Sequence, residues 1–85
     1  MKVLKPTLVA LALLIPSAAL AQVTLGQNLG TTEAAIRASL TEAGYTVTDI
    51  DFDSDEIEIE AVRNGQKYEI ELTLQGVVKE MQLDD

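Results

Sequence analysis

The apolar residues of this chain change their spacing several times, and each change marks an element. Leu8 to Ile15 is an unbroken apolar run of eight residues. Further on, Ile36, Leu40 and Ala43 recur at helical spacing, i, i+4 and i+7, which predicts a short amphipathic helix. From Tyr45 the period falls to two. Ile57, Ile59 and Ala61 alternate with polar residues, as do Tyr68, Ile70, Leu72 and Leu74. Such alternation predicts strands with one buried face.

Punctuation agrees with the periods. Gly30-Thr31-Thr32-Glu33 supplies a threonine N-cap and an acid in the first turn, where the helix dipole favours it. Gly44 stands where a left-handed C-cap is wanted. The helix is too short to be stable alone and needs a surface to lie on. Four strands are predicted to provide it: Tyr45 to Phe52, Ile57 to Val62, Gln66 to Leu74, and Val77 to Leu83. The expected fold class is α+β, one short helix packed on a four-stranded antiparallel sheet.

Turn chemistry fixes the register. Asn64-Gly65 is a strong two-residue hairpin signal, because a type I′ turn wants φ > 0 at both positions. It sets Arg63 opposite Gln66, and then Ile57 faces Leu72, Ile59 faces Ile70 and Ala61 faces Tyr68. Two independent apolar patterns thus agree on one register. A four-residue loop at Asp53 to Glu56 pairs Phe52 with Ile57 and Ile50 with Ile59. Tyr45 and Val47 fall out of phase with Ile50 and Phe52, which predicts either a bulge near Thr48-Asp49 or a strand that begins only there. Gln75-Gly76 reads as a two-residue turn. Val77, Met81 and Leu83 then share a face with Lys79, whose stem snorkels at the edge.

The same register stacks acids on the far face. Asp51, Glu58, Glu71 and Glu80 form one cross-strand row; Asp49, Glu60 and Glu69 form the next, continued by Gln82. No base is expected among them. Like charges directly opposite each other cost up to about 1 kcal/mol per pair. This face (Asp49, Asp51, Glu58, Glu60, Glu69, Glu71, Glu80) is the candidate site, read either as a solvated surface that discourages aggregation or as a place for a basic partner or a weakly held Ca²⁺. Outward-pointing carboxylates do not converge as the six to eight oxygens of a calcium cage must. Asp51-x-Asp53-x-Asp55 resembles the start of an EF-hand loop, but Glu56 replaces the glycine and Val62 the closing glutamate.

The N-terminal run reads as an export signal. Lys2 and Lys5 precede it, Pro16-Ser17 breaks it, and Ala19-Leu20-Ala21 is the small-x-small pattern cut by signal peptidases. A membrane span needs about twenty apolar residues. The expected organisation is a signal peptide over 1–21, a flexible leader over 22–30 and one domain over 31–85, located in the periplasm or outside the cell and free of the membrane after cleavage. Loss of Lys2 and Lys5 moves the net charge from −8 to −10, which argues against nucleic acid and anionic lipid partners. With no His and no Cys, thiol and Ser–His–Asp nucleophiles and the usual zinc ligand sets are excluded. No phosphate-binding glycine loop is present, so no cofactor is expected. Paired carboxylates abound, but a single-layer domain offers little cleft, and no enzyme activity is expected.

The run Ala43-Gly44-Tyr45-Thr46-Val47, the Asp-rich turn, and the hairpin Ala61 to Ile70 with Asn64-Gly65 and Tyr68 resemble the PepSY domain over Thr31 to Leu83. The resemblance implies a non-catalytic exported module that binds another exported protein, peptidases included, since such modules occur in propeptides of secreted metallopeptidases. The alternative is an acidic protein that binds divalent cations. The chain departs from the family at the last hairpin, where Leu74-Gln75-Gly76-Val77 stands in place of an Asp and a Thr-Gly turn.

Overall fold

The computed structural model describes residues 22–84. The expected signal peptide, 1–21, lies outside the described residues. Among the described residues no helix is long and apolar enough to cross a membrane.

Helix α1, Glu33–Glu42, forms where the pattern placed it. The Thr32 hydroxyl accepts from the Ala35 amide at 3.1 Å and caps the first turn. Glu33 joins Arg37 one turn on, at 3.0 Å. At the other end Gly44 takes φ +92°, with the Tyr45 amide bonded to the Leu40 carbonyl (2.9 Å) and the Gly44 amide to that of Thr41 (3.0 Å). This is the Schellman arrangement, and it satisfies carbonyls that the helix end would leave bare. It also drives Tyr45, 2 % exposed, into the core beneath α1, where its ring meets Tyr68 edge-on, centroids 5.6 Å apart.

Strands β1 (Thr46–Phe52), β2 (Ile57–Arg63), β3 (Gln66–Leu72) and β4 (Val78–Leu83) follow in a simple meander, in spatial order β1-β2-β3-β4. The fold is α+β, one helix on an open four-stranded antiparallel sheet. Asn64 (φ +53°) and Gly65 (φ +78°) make the expected turn, and every β2–β3 pair stands in the expected register, from Ile57 opposite Leu72 to Arg63 opposite Gln66. The β1 bulge is at Thr48, between the pairs Val47–Ala61 and Asp49–Glu60. The Thr48 hydroxyl donates to the Glu60 carbonyl (3.1 Å), giving the broken ladder a substitute bond. One face of the sheet buries Ile57, Ile59, Ala61, Ile70, Leu72 and Val78 against Ile36 and Leu40, all at or below 2 % exposure. No polar or charged residue among those described is buried. Each large aliphatic side chain so buried contributes roughly 1.5–3 kcal/mol.

Two expectations are corrected. The last turn is not the two-residue Gln75-Gly76. β3 ends at Leu72, Thr73 donates to the Val77 carbonyl (2.8 Å), and the loop is Leu74-Gln75-Gly76 with Gly76 at φ +87°. Leu74 is 45 % exposed rather than a core residue of the strand. The pairing then shifts from Leu72–Val78 to Glu71–Glu80, so Lys79 is an extra, bulged residue. A longer loop and a bulge cancel, and the pairs Glu71–Glu80 and Glu69–Gln82 arrive where a two-residue turn would have put them. What changes is the face: Val78 replaces Val77 in the core, and Lys79 leaves the side of Met81.

The second correction concerns residues 22–30, expected to be a flexible leader. Val23 and Leu29 are 2 % and 1 % exposed, inside the core. Gly26 donates to the Val78 carbonyl (2.8 Å), Val78 to that of Gln27 (2.9 Å), and Leu29 to that of Gly76 (2.8 Å). Asn28 bridges Val77 in antiparallel fashion. The segment lies along the start of β4, joined to it by this one bridge and the flanking backbone hydrogen bonds. Its three apolar residues, Val23, Leu25 and Leu29, carry no readable period, and only the first and last are buried, which is why the pattern alone misses them.

Candidate functional site

On the face away from α1, the strands present acids at every second position. The structure brings the expected rows together: Asp51, Glu58, Glu71 and Glu80 across four strands, and Asp49, Glu60, Glu69 and Gln82 beside them. Glu56 extends the first row at the β1–β2 loop. The carboxylate oxygens of Glu56, Glu58 and Glu71 lie within 4.8 Å of one another, as do those of Asp51, Asp53 and Glu58. Glu58 belongs to both groups.

The face is not without a base. The bulge that turns Lys79 away from the core delivers its ammonium to Glu56 at 2.8 Å. Glu56, Asp53 and Lys79 were absent from the predicted site. Glu56 and Asp53 lie in the loop where strand alternation stops reporting direction, and the bulge at Lys79 leaves no mark in the apolar pattern.

The crowding sets the protonation of the cluster. The Lys79 ammonium, bonded to Glu56, holds that carboxyl below its ordinary value, and a hydrogen bond from Glu58 acts the same way. Glu58 is pushed up to about 7, first because its proton is held in the bond to Glu56, then by desolvation and by the charges of Asp53, Glu56 and Glu71. Desolvation, followed by the charges of Glu56 and Glu80, raises Glu71, and the charge of Asp51 is the main cause of the rise at Asp53. Lys79 is raised by its bond to Glu56. Glu56 and Glu58 thus share one proton near neutrality.

This predicts how stability varies with pH. Between the ordinary 4.5 and about 7, Glu58 holds more proton in the folded than in the unfolded chain, so stability falls as pH rises through that window. Glu71 and Asp53, also raised, add to the fall. Glu56 acts oppositely, its contribution present above 4.5 and lost as pH drops through its depressed value. Thermal melts at low salt are expected to give a lower Tm at pH 8 than at pH 5.5. Glu58→Gln should remove most of that difference; an unchanged slope in the variant would show that the proton is held elsewhere.

Chemically the face offers many carboxylates and no convergence. Each triplet supplies three ligand groups, well short of the coordination Ca²⁺ takes from protein alone, so waters would complete the shell of any ion held there. No wall encloses the shared proton against a substrate. The arrangement suits contact with a broad basic surface, where charge is read over many ångströms.

Residues 6–77 match the family model described as peptidase propeptide and YPEB domain, PepSY_2. The chain belongs to the PepSY family. PepSY domains are generally non-catalytic and related to peptidase propeptides. The match ends at Val77, where the corrected β3–β4 loop gives way to β4. No curated protein and no solved structure matches the chain.

Proposed function

We propose that this PepSY domain is a non-catalytic binding module that works outside the cytoplasm and holds another exported protein, with a peptidase as the first partner to test. The observation that supports the reading best is the open acidic sheet face, backed by one helix, on which acids far outnumber the bases Lys67 and Lys79. A surface of this kind recognises charge complementarity and loses affinity as salt rises. Export is supported by the Lys2–Ala21 signal pattern, and mass analysis of protein recovered outside the cytoplasm should find Gln22 as the first residue.

The test is capture of exported proteins on the immobilised protein at physiological salt. Joint replacement of Glu58, Glu60, Glu69 and Glu71 by glutamine should release what is captured, and a captured peptidase should be slowed by the wild-type protein in solution. An empty capture, or one indifferent to the four substitutions, counts against the reading. The two carboxylate triplets that meet at Glu58 favour a second reading, weak binding of a divalent cation. Millimolar Ca²⁺ would then raise Tm by several degrees in the wild type and not in the four-glutamine variant.

A further inference from the structure

A sheet that ends in an uncovered strand keeps hydrogen-bonding groups for another. β4 is such a strand over half its length. The Asp84 amide donates to the Lys67 carbonyl (2.9 Å), and Glu69–Gln82 and Glu71–Glu80 follow at two-residue steps. Alternation in an antiparallel ladder turns the N–H and C=O of Glu80, Gln82 and Asp84 toward β3. Those of Met81 and Leu83 therefore point away from the sheet. At Val78 the equivalent outward groups are taken by Gly26 and Gln27. Among the described residues, no strand takes those of Met81 and Leu83.

The reason is the path of the N-terminal segment. It pairs with Val77 and Val78, then turns at Thr24 to Gln27, where the Gln27 amide donates to the Thr24 carbonyl (3.2 Å). From that turn it leaves the edge. A groove of about 670 Å³ opens between Gln22–Leu25 and Lys79–Leu83. Val23, Leu25, Tyr68, Met81 and Leu83 line its apolar side, with Leu25 67 % and Leu83 53 % exposed. The other side of the same edge carries Glu80 and Gln82, the ends of the two acidic rows.

We propose that the β4 edge takes up an extended peptide segment of alternating basic and apolar residues as an added strand of the sheet. This rests on the binding reading above and gives it a location and a ligand chemistry. Backbone bonds to Met81 and Leu83 supply affinity, and alternate side chains supply choice. Residues of the added strand opposite Met81 and Leu83 drop their side chains into the apolar groove. Those opposite Glu80 and Gln82 stand at the non-hydrogen-bonded positions, where facing Cα atoms approach to about 4.5 Å. A lysine or arginine there meets the end of a carboxylate row. A second copy of this chain is the poorer occupant, since its own β4 would place Glu80 and Asp84 against an acidic edge.

The test uses the purified protein, amide hydrogen exchange read by NMR, and three synthetic heptapeptides. One alternates lysine and valine, one has glutamate for lysine, and one is the lysine peptide N-methylated at the amides that would face β4. Saturation with the lysine peptide should slow exchange at Met81 and Leu83 at least tenfold. The glutamate peptide should leave both unchanged, and N-methylation should weaken binding at least tenfold. Leu83→Pro removes one outward donor at a position where an edge strand tolerates proline, and should abolish binding with the far-ultraviolet spectrum retained. If that variant does not fold, the methylated peptide carries the same test. Protection that appears along Thr46–Phe52 instead, equal binding of the glutamate peptide, or protection that grows with protein concentration without peptide each overturn the proposal. Failure of all three peptides with partner capture intact overturns the edge and leaves the binding reading standing. Loss of capture with β4 protection intact does the reverse.

Discussion

Gly76→Ala is expected to remove about 2–5 kcal/mol, a large part of the folding stability. Gly76 is buried in the β3–β4 loop at φ +87°, where an L side chain costs roughly 1–2 kcal/mol. Space is the larger obstacle. A Cβ built there would overlap the carbonyl oxygen of Gly30 and come within 2.7 Å of its carbon. Both are backbone, so relief requires the helix entry and the loop to part. Such forced shifts add typically 1–3 kcal/mol. A folded unit of about sixty residues holds only about 3–9 kcal/mol in all. Urea denaturation should find a midpoint far below that of the wild type. Gly65→Ala is the control: it has φ +78° but nothing within 4 Å of the added carbon, and should cost only about 1–2 kcal/mol. Equal losses at the two positions would mean that conformation, not the contact with Gly30, governs Gly76.

Leu40→Ala is the second large loss, about 2–5 kcal/mol. Leu40 is fully buried and sits with Ile36 between α1 and the sheet. The ten-residue helix has too few turns to persist without that contact, so truncation weakens both the core and the element that carries it. Leu40→Met, which keeps the volume, should cost less than about 1.5 kcal/mol. Leu25→Ala, at a residue 67 % exposed, should change stability by no more than about 0.5 kcal/mol. Urea midpoints of the three variants check the order.

The sheet was legible because two codes overlap in it. Asn64-Gly65 names its own turn geometry, and the apolar residues on either side confirm the register that the turn imposes. The Thr48 bulge was legible for the opposite reason: Val47 and Ile50 cannot share a face without one extra residue. The β3–β4 hairpin had no such check. Val77 and Val78 are both apolar and side by side, so either could be drawn inward, and Val78 goes in with its backbone bonded to Gln27 across the sheet edge. That contact joins positions far apart in the chain and is invisible to local pattern. The acidic rows followed from the register. Lys79, which pairs with Glu56 at their margin, depended on the bulge and was assigned to the wrong face.

The docking of Gln22–Leu29 on β4 has a consequence for how the chain reaches this state. Asn28 contacts Gln75 across 47 positions of sequence, and the amides of Gly26 and Leu29 find their acceptors only on Val78 and Gly76. Helix α1, the Asn64-Gly65 hairpin and the β1–β2 pairing close short loops and can form early. The N-terminal contacts close the longest loop and come late, after its entropy has been met. A chain emerging N-terminus first therefore exposes Val23 and Leu29 until residues 76–78 follow. Folding rate should be limited by that closure, and slowing β4, as a weakened Gly76 loop would, should slow the whole domain.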